Sequence, residues 1–271
     1  MSIKLIALDI DDTLLTSDQT ILPSTKAAVA AALARGIKVV LCTGRPLAGV
    51  QPFLDALGIT GPDQYVVTYN GAVIETVAGQ VVAKRLIDRA GYETLTAYAK
   101  AQHLPFNVLD EDSVIYTADR DVDAITVVQA LENQAGILIR DPEDLPADFA
   151  IAKGLFVGDP AQLDAAEPAV HAAFDADYSV IRAGRYFLEV MQAGVDKGQA
   201  LRDLAALLGF TRDELMAVGD EGNDLAMFAA VGTAVAMGNG SDIAKAAAGH
   251  VTGTNDEGGL AAAIERFALT D

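Results

Sequence analysis

The sequence predicts an α/β fold: a doubly wound parallel-sheet (Rossmann-like) core with an inserted α+β domain. Three observations carry this expectation. The apolar run Leu5-Ile6-Ala7-Leu8 ends abruptly in Asp9, Asp11 and Asp12, which reads as a buried strand with a polar carboxyl end. Strand-like and helix-like segments then alternate as far as Tyr69, the rhythm of right-handed βαβ crossovers. That rhythm breaks after about Gly71, gives way to short paired strands mixed with helices, and returns near Asp196. The expected organisation is therefore a core from residues 1–83 and 191–271, interrupted by an insert over residues 84–190.

Each element follows from local chemistry. Residues 13–22 have mixed character and suit a small hairpin or flap over the first strand end. Ser24 to Arg35 is Ala-rich and ends at Gly36, a helix with its C-terminal glycine. Ile37 to Cys42 is the next strand, ending in Thr43-Gly44-Arg45, and Pro46 opens a helix that stops at Gly58. Tyr65 to Tyr69 is a strand ending in Asn70-Gly71, and Ala78-Gly79 turns a hairpin between residues 72–74 and 81–83. The insert reads as a helix over 88–102, strands over 106–109 and 113–118, a helix over 121–134, a strand over 137–140 and a loop over 141–146. A strand over 151–157, a helix over 161–174 and strands over 178–182 and 186–191 complete it, with an antiparallel sheet expected. The returning core has a helix over 196–208 closed by Gly209 and a strand over 215–218. A helix, a strand near 234–236, and helices from Asp242 and Glu257 follow. No internal repeat or low-complexity linker interrupts this order.

Composition narrows the function. The 271 residues suit one large or two modest domains, and 51% hydrophobic with 21% charged residues allows a packed core. Asp and Glu outnumber Lys and Arg 38 to 19, a net charge of −19, so nucleic acid and anionic membranes are poor partners. A phosphate-bearing ligand needs a local positive site built against that field. Cys42 is the only cysteine, which excludes an intramolecular disulfide and a Cys-rich zinc site, and His103, His171 and His250 show no ligand spacing. Cys42 and the three histidines read as packing or surface residues. Lys4 and Asp9 interrupt any secretory apolar region, and glycines break the longest uncharged stretch, Leu225 to Ser241, so a cytoplasmic protein is expected.

Four polar clusters stand at the ends of core elements: Asp9 with Asp11, Thr43-Gly44-Arg45, Lys197, and Gly219-Asp220-Glu221-Gly222-Asn223-Asp224. Open α/β sheets bind ligands at the carboxyl ends of their strands. Paired carboxylates repel each other and make sense around a hard divalent cation. Taken singly, each cluster also has an ordinary reading: an acidic turn, a Thr helix cap, a solvated lysine, a Gly-rich turn. Arg45 could simply pair with a carboxylate.

Their joint order resembles the haloacid dehalogenase-like hydrolases, which carry a D-x-D-x-T strand end, a Thr or Ser after a second strand, a distant Lys and an acidic G-D-x-x-N-D loop. The insert between the second and third parts, together with Tyr69-Asn70-Gly71-Ala72 and Asp196-Lys197-Gly198, resembles the Cof-type subgroup with a large α/β cap. Within it the chain is most similar to bacterial sugar-phosphate phosphatases of the YidA type. Asp12 departs from the glycine usual there. The resemblance implies Mg²⁺ as cofactor and a small phosphorylated metabolite as substrate. It implies Asp9 as nucleophile and Asp11 as general acid and base. Asp9, Asp11 (through its carbonyl), Asp220 and Asp224 would serve the metal, with Asp224 acting through its waters. Ile10, Thr43, Gly44, Arg45, Asn70, Gly71, Lys197 and Asn223 would bind the phosphoryl group and substrate.

Rival functions are weighed by the same residues. A receiver-type signalling domain shares the acidic pair, Thr and Lys but has no reason for an insert. A catalytically silent binding module needs neither Asp9 nor Asp11. A sugar phosphomutase would use the same covalent intermediate. No Gly-Lys-Ser or Gly-Lys-Thr phosphate loop is present, so a nucleotide-driven kinase is unsupported. Substrate identity and the choice between monomer and homodimer are open at this stage.

Overall fold

Leu5–Leu8 (β1) is buried along its whole length, and a parallel neighbour lies on each side of it. These are Lys38–Cys42 (β2) and, much later in the chain, Leu215–Gly219 (β14). The computed structural model describes residues 2–270. The chain groups into two compact units. One holds the residues up to Thr43, Val50–Ala83 and those from Asp196 on; the other holds Gly44–Gly49 and Lys84–Val195.

In the first unit, β1 and β2 are joined by Pro23–Ala34 (α1), and β2 leads through Leu47–Leu57 (α2) to Tyr65–Thr68 (β3). Val73–Thr76 (β4) and Val81–Lys84 (β5) extend the sheet beyond β3, with β4 antiparallel to it. Thr233–Ala236 (β15) and His250–Val251 (β16) extend it beyond β14 in parallel. The eight strands run in the order β16-β15-β14-β1-β2-β3-β4-β5. Strand order therefore reverses between β1 and β14, and such a switch point opens a crevice beyond the carboxyl ends of the strands. Asp9 and Asp220 stand at those two ends.

Helix Lys197–Leu208 (α6) buries Ala200, Leu201, Leu204 and Ala205 against Ala7, Val40 and Ala217 of the sheet, beside Met227 and Phe228 of Leu225–Ala230 (α7). Burial of Leu201 and Leu204 contributes about 1.5–3 kcal/mol each, and of each alanine methyl about 0.8 kcal/mol. The Asp196 carboxylate accepts from the Gln199 amide at 2.6 Å and caps α6. Asp242–Ala247 (α8) and Gly259–Phe267 (α9) close the unit.

The second unit is α+β, as expected. Arg89–Gln102 (α3) and Pro160–Phe174 (α5) cover one face of a sheet. That sheet is built from Phe106–Leu109 (β7), Ile115–Thr117 (β8), Ile137–Ile139 (β9), Lys153–Val157 (β11), Tyr178–Arg182 (β12) and Phe187–Gln192 (β13). Its order is β12-β13-β11-β7-β8-β9. Tyr92, Leu95, Phe106, Val108, Phe156, Phe174, Leu188 and Val190 fill the core between helices and sheet.

Four local expectations need correction. The sheet is not wholly antiparallel: β8 and β9 run parallel, because Ala124–Glu132 (α4) crosses over between them. The strand expected over 151–157 is two strands. Ala150–Ile151 (β10) pairs with Ile87–Asp88 (β6), the chain bends at Ala152, and β11 joins the larger sheet. Residues 13–22 form no strand pair; a turn closed by Thr16 N–H to Thr20 O (2.9 Å) replaces the hairpin. The last helix begins at Gly259, after Gly258 in a left-handed conformation. No helix among the described residues is long and apolar enough to cross a membrane.

Gly71 shows how tightly the returning core docks. Its φ is +105°, and a Cβ there would stand 2.4 Å from the Asp196 carbonyl oxygen, so both backbone strain and space forbid a side chain. Gly71→Ala is expected to destabilise the fold by about 2 kcal/mol or more. Denaturant unfolding measures this, and a wild-type midpoint would contradict it.

Candidate active site

The site grows from β1. The Asp9 N–H donates to Val218 O (3.1 Å), so the ladder with β14 continues through Asp9. The chain then coils through Ile10–Leu14. Asp9 is buried and Asp11 exposed. Asp12 has φ 55°, a left-handed position where glycine is the easy residue and Asp is tolerated. Asn239 Nδ2 donates to its carbonyl (2.8 Å), and Asn255 Nδ2 to that of Leu15 (2.9 Å). These bonds hold the turn that the usual glycine would make freely.

Lys197, in the first turn of α6, is 1% exposed. Its ammonium donates to Asp9 Oδ1 at 2.6 Å and to Asp224 Oδ1 at 2.7 Å. Asp224 Oδ2 accepts the amides of Asp220 (2.8 Å) and Glu221 (3.1 Å). Gly219 makes that possible: a Cβ there would lie 2.4 Å from Asp224 Oδ2. Asp220 Oδ1 accepts from Thr13 Oγ1 at 2.9 Å. Carboxylate oxygens of Asp9, Asp220 and Asp224 all lie within 4.8 Å of one another. Lys197 thus takes one oxygen of Asp9 and Thr13 one oxygen of Asp220.

Three buried carboxylates thus share one ammonium, and the ionisation of the site reflects that imbalance. Burial first, then Asp224 and Asp220, hold the Asp9 carboxyl well above its ordinary range despite Lys197. Asp220 is pushed up to about 7, by burial and by Asp224 and Asp12, against its bond from Thr13. Burial opposes the Lys197 charge, but Asp224 and Asp9 overcome it and hold the ammonium above its usual range. A cluster with an excess of hard oxygen donors suits a divalent cation such as Mg²⁺. Asp9 and Asp220 have oxygens to offer it, whereas both oxygens of Asp224 are engaged with Lys197 and backbone amides.

The remaining expected residues fall in three places. Thr43 is buried at the end of β2; its N–H donates to Val67 O (2.9 Å) and its carbonyl accepts from the Asn70 amide (2.8 Å). Asn70, at φ 55°, accepts from Asn223 Nδ2 at 3.4 Å. Ile10 is fully buried, so only its backbone is available to a ligand. Gly71 lies against Asp196, as described above. Gly44 and Arg45 group with the second unit, where Lys153 Nζ donates to the Gly44 carbonyl (2.8 Å). Cys42 is buried, and burial above all pushes its thiol up, so it is no nucleophile at neutral pH. His171 pairs with Asp175 and His250 stacks on Phe267, while His103 ends α3.

Sequence reasoning missed Thr13 as a site residue although it is the Thr of D-x-D-x-T. It also missed Asn239 and Asn255, which carry no spacing signal.

Residues 6–264 match the family model of haloacid dehalogenase-like hydrolases. The chain is 36% identical over 269 residues to YxeH of Bacillus subtilis (strain 168), covering 98% of each chain. It is 25% identical over 296 residues to that organism's 5-amino-6-(5-phospho-D-ribitylamino)uracil phosphatase YwtE, covering 97% of this chain and 98% of the relative. A crystal structure of a haloacid dehalogenase-like hydrolase from Bacteroides thetaiotaomicron superposes with TM-score 0.85 at 33% identity, covering 97% of this chain and 99% of that one.

The carboxylate excess has a signature in the metal-free protein. Asp220 titrates higher folded than unfolded, so its contribution to stability is complete below its unfolded value and is lost as pH rises through about 7. In chelator the melting temperature is expected to fall between about pH 5 and about pH 8, with Asp220 contributing at most about 4 kcal/mol. Asp220→Asn should flatten that fall, and an identical pH profile for variant and wild type would contradict the assignment.

Proposed function

The chain belongs to the haloacid dehalogenase-like hydrolase family, and on that premise we propose that it is a Mg²⁺-dependent phosphatase of small phosphorylated metabolites, sugar phosphates foremost. The reaction runs through an aspartyl-phosphate on Asp9. The observation that carries this reading is the buried group of Asp9, Asp220 and Asp224 around Lys197.

Asp9 attacks phosphorus with its carboxylate, the bond from phosphorus to the ester oxygen breaks, and Asp11 protonates the leaving oxygen. Asp11, now a carboxylate, takes a proton from the attacking water. That water's oxygen bonds to phosphorus, and the bond to Asp9 breaks to release inorganic phosphate. Exposure of Asp11 suits a group that must meet both leaving group and water. Lys197 holds Asp9 in place and supplies the positive charge that the acidic surface lacks. Thr43, Asn70, Asn223 and the backbone of Ile10, Gly44 and Arg45 are assigned to the phosphoryl group and substrate.

Asp9, Asp220 and the Asp11 carbonyl would hold Mg²⁺, with Asp224 ordering Lys197 and the Asp220 amide. When bound, Mg²⁺ would neutralise the carboxylate excess and the charge of the phosphoryl oxygens. Without that neutralisation a phosphate dianion would meet a site of net negative charge.

Residues 84–190 are assigned the choice of leaving group, and the protein a cytoplasmic location. The phosphorylated ribityl chain in the name of YwtE's substrate supports a polyol or sugar phosphate.

Phosphate release from p-nitrophenyl phosphate and from a panel of sugar phosphates tests the reading. Mg²⁺ should be required, excess chelator should abolish turnover, and Asp9→Asn should lower kcat by about 10³-fold or more with the fold intact. Full activity in chelator, or a wild-type rate from that variant, would refute it. Isomerised sugar phosphate in place of free phosphate would identify a mutase.

A further inference from the structure

A second buried lysine lies in the inserted unit. Lys153, on β11, is 4% exposed, and Glu189, on β13, is 3% exposed. The Lys153 ammonium donates to Glu189 Oε1 at 2.5 Å and to the Gly44 carbonyl at 2.8 Å. All three residues belong to the same compact unit.

Sheet stability does not call for this pair. A buried ion pair costs desolvation, and well-packed apolar residues hold a sheet as well or better. The pair also lies away from the unit's apolar core. Side chains alternate along β11: Phe156 enters the aromatic core beneath α3 and α5, a Cβ on Gly154 would meet Phe106 and Leu95 there, and Lys153 is directed to the opposite face. What an apolar pair could not supply is the third partner, a backbone carbonyl just beyond Thr43.

The peptide unit is planar and trans, so a carbonyl fixed in direction fixes the next N–H pointing the opposite way. The plane joining Thr43 to Gly44 is held by the Asn70 amide on the Thr43 carbonyl, at 2.8 Å. The plane joining Gly44 to Arg45 is held by Lys153. Two successive peptide planes are therefore pinned from outside the segment, and with them the directions of the Gly44 and Arg45 N–H groups. Successive oriented amides of this kind suit an anion.

We propose that Lys153, neutralised by Glu189, is a positioning residue for phosphate binding: it pins the Gly44–Arg45 peptide, whose amides are assigned to the phosphoryl group. This rests on the phosphatase reading above. Glu189 keeps the ammonium in place where it would otherwise be an uncompensated buried charge. The device touches no reacting atom, so its loss should weaken phosphate binding more than it slows chemistry.

The test compares the wild type with Lys153→Met/Glu189→Leu, which removes both charges together and leaves neither buried alone. Inorganic phosphate is titrated calorimetrically with Mg²⁺ present, and KM and kcat are measured with p-nitrophenyl phosphate. The variant should bind phosphate about tenfold more weakly and show a similar rise in KM, with kcat changed much less and the melting temperature little moved. Unchanged phosphate affinity and KM in the folded variant would overturn the proposal, and so would a lowered melting temperature with phosphate affinity intact. Should the double variant not fold, Lys153→Arg keeps the charge beside Glu189 but presents its donors on a longer planar head. Altered phosphate affinity there supports the proposal, and an unaltered value overturns it. A wild type that neither binds phosphate nor releases it from the ester would refute the phosphatase reading itself, and the positioning role with it.

Discussion

One buried ammonium faces three buried carboxylates, and the rest of the first unit is arranged to bring those four groups together. Lys197 touches Asp9 and Asp224, and Asp224 in turn holds the amides at the start of the Asp220 loop. Burying a charge without partners is prohibitive, whereas a lysine shared between two carboxylates satisfies part of their demand. The remainder is an excess of negative charge in a crevice beyond the sheet. Burial above all, and then that excess, explains why Asp9 and Asp220 both hold protons more readily than ordinary carboxyls. The excess also explains how a protein of net charge −19 could present an attractive site to a phosphate ester once a divalent cation is bound.

The fold meets this constraint by topology. Reversal of strand order between β1 and β14 sets Asp9 beside Asp220 although they are far apart in the chain. Lys197 arrives on α6, and Gly71 lets the backbone before it approach the end of β3 at a distance no other residue would permit. The insert, residues Lys84–Val195, enters the chain between these two halves.

Much of this was legible in the sequence. Apolar runs ending in Asp9, Thr43, Asn70 and Asp220 mark strand ends, and the alternation of strand and helix patterns implies the parallel core. Lys197 was not legible alone, because one lysine at a helix start is ordinarily solvated; only its order among the other clusters singles it out. Other features left no pattern to read. Lys153 and Glu189 stand on strands whose pairing is a tertiary fact, with no spacing signal between them. β6 and β16 are two residues each, too short for any periodicity. The parallel pairing of β8 with β9 depends on α4 acting as a crossover, which local propensity does not distinguish from a helix between hairpins. Asp12 looked like a bare departure from glycine, and its left-handed backbone shows what the position demands.

The central claim is that Asp9 carries the phosphoryl group during turnover. Trapping the acyl phosphate tests it most directly: the protein is quenched during turnover with Mg²⁺ and a phosphate ester, reduced with borohydride, and mapped by mass spectrometry. The account predicts conversion of Asp9 to homoserine, dependent on substrate and absent in Asp9→Asn. Reduction at another carboxylate, or steady turnover with no trapped acyl phosphate at all, would contradict it.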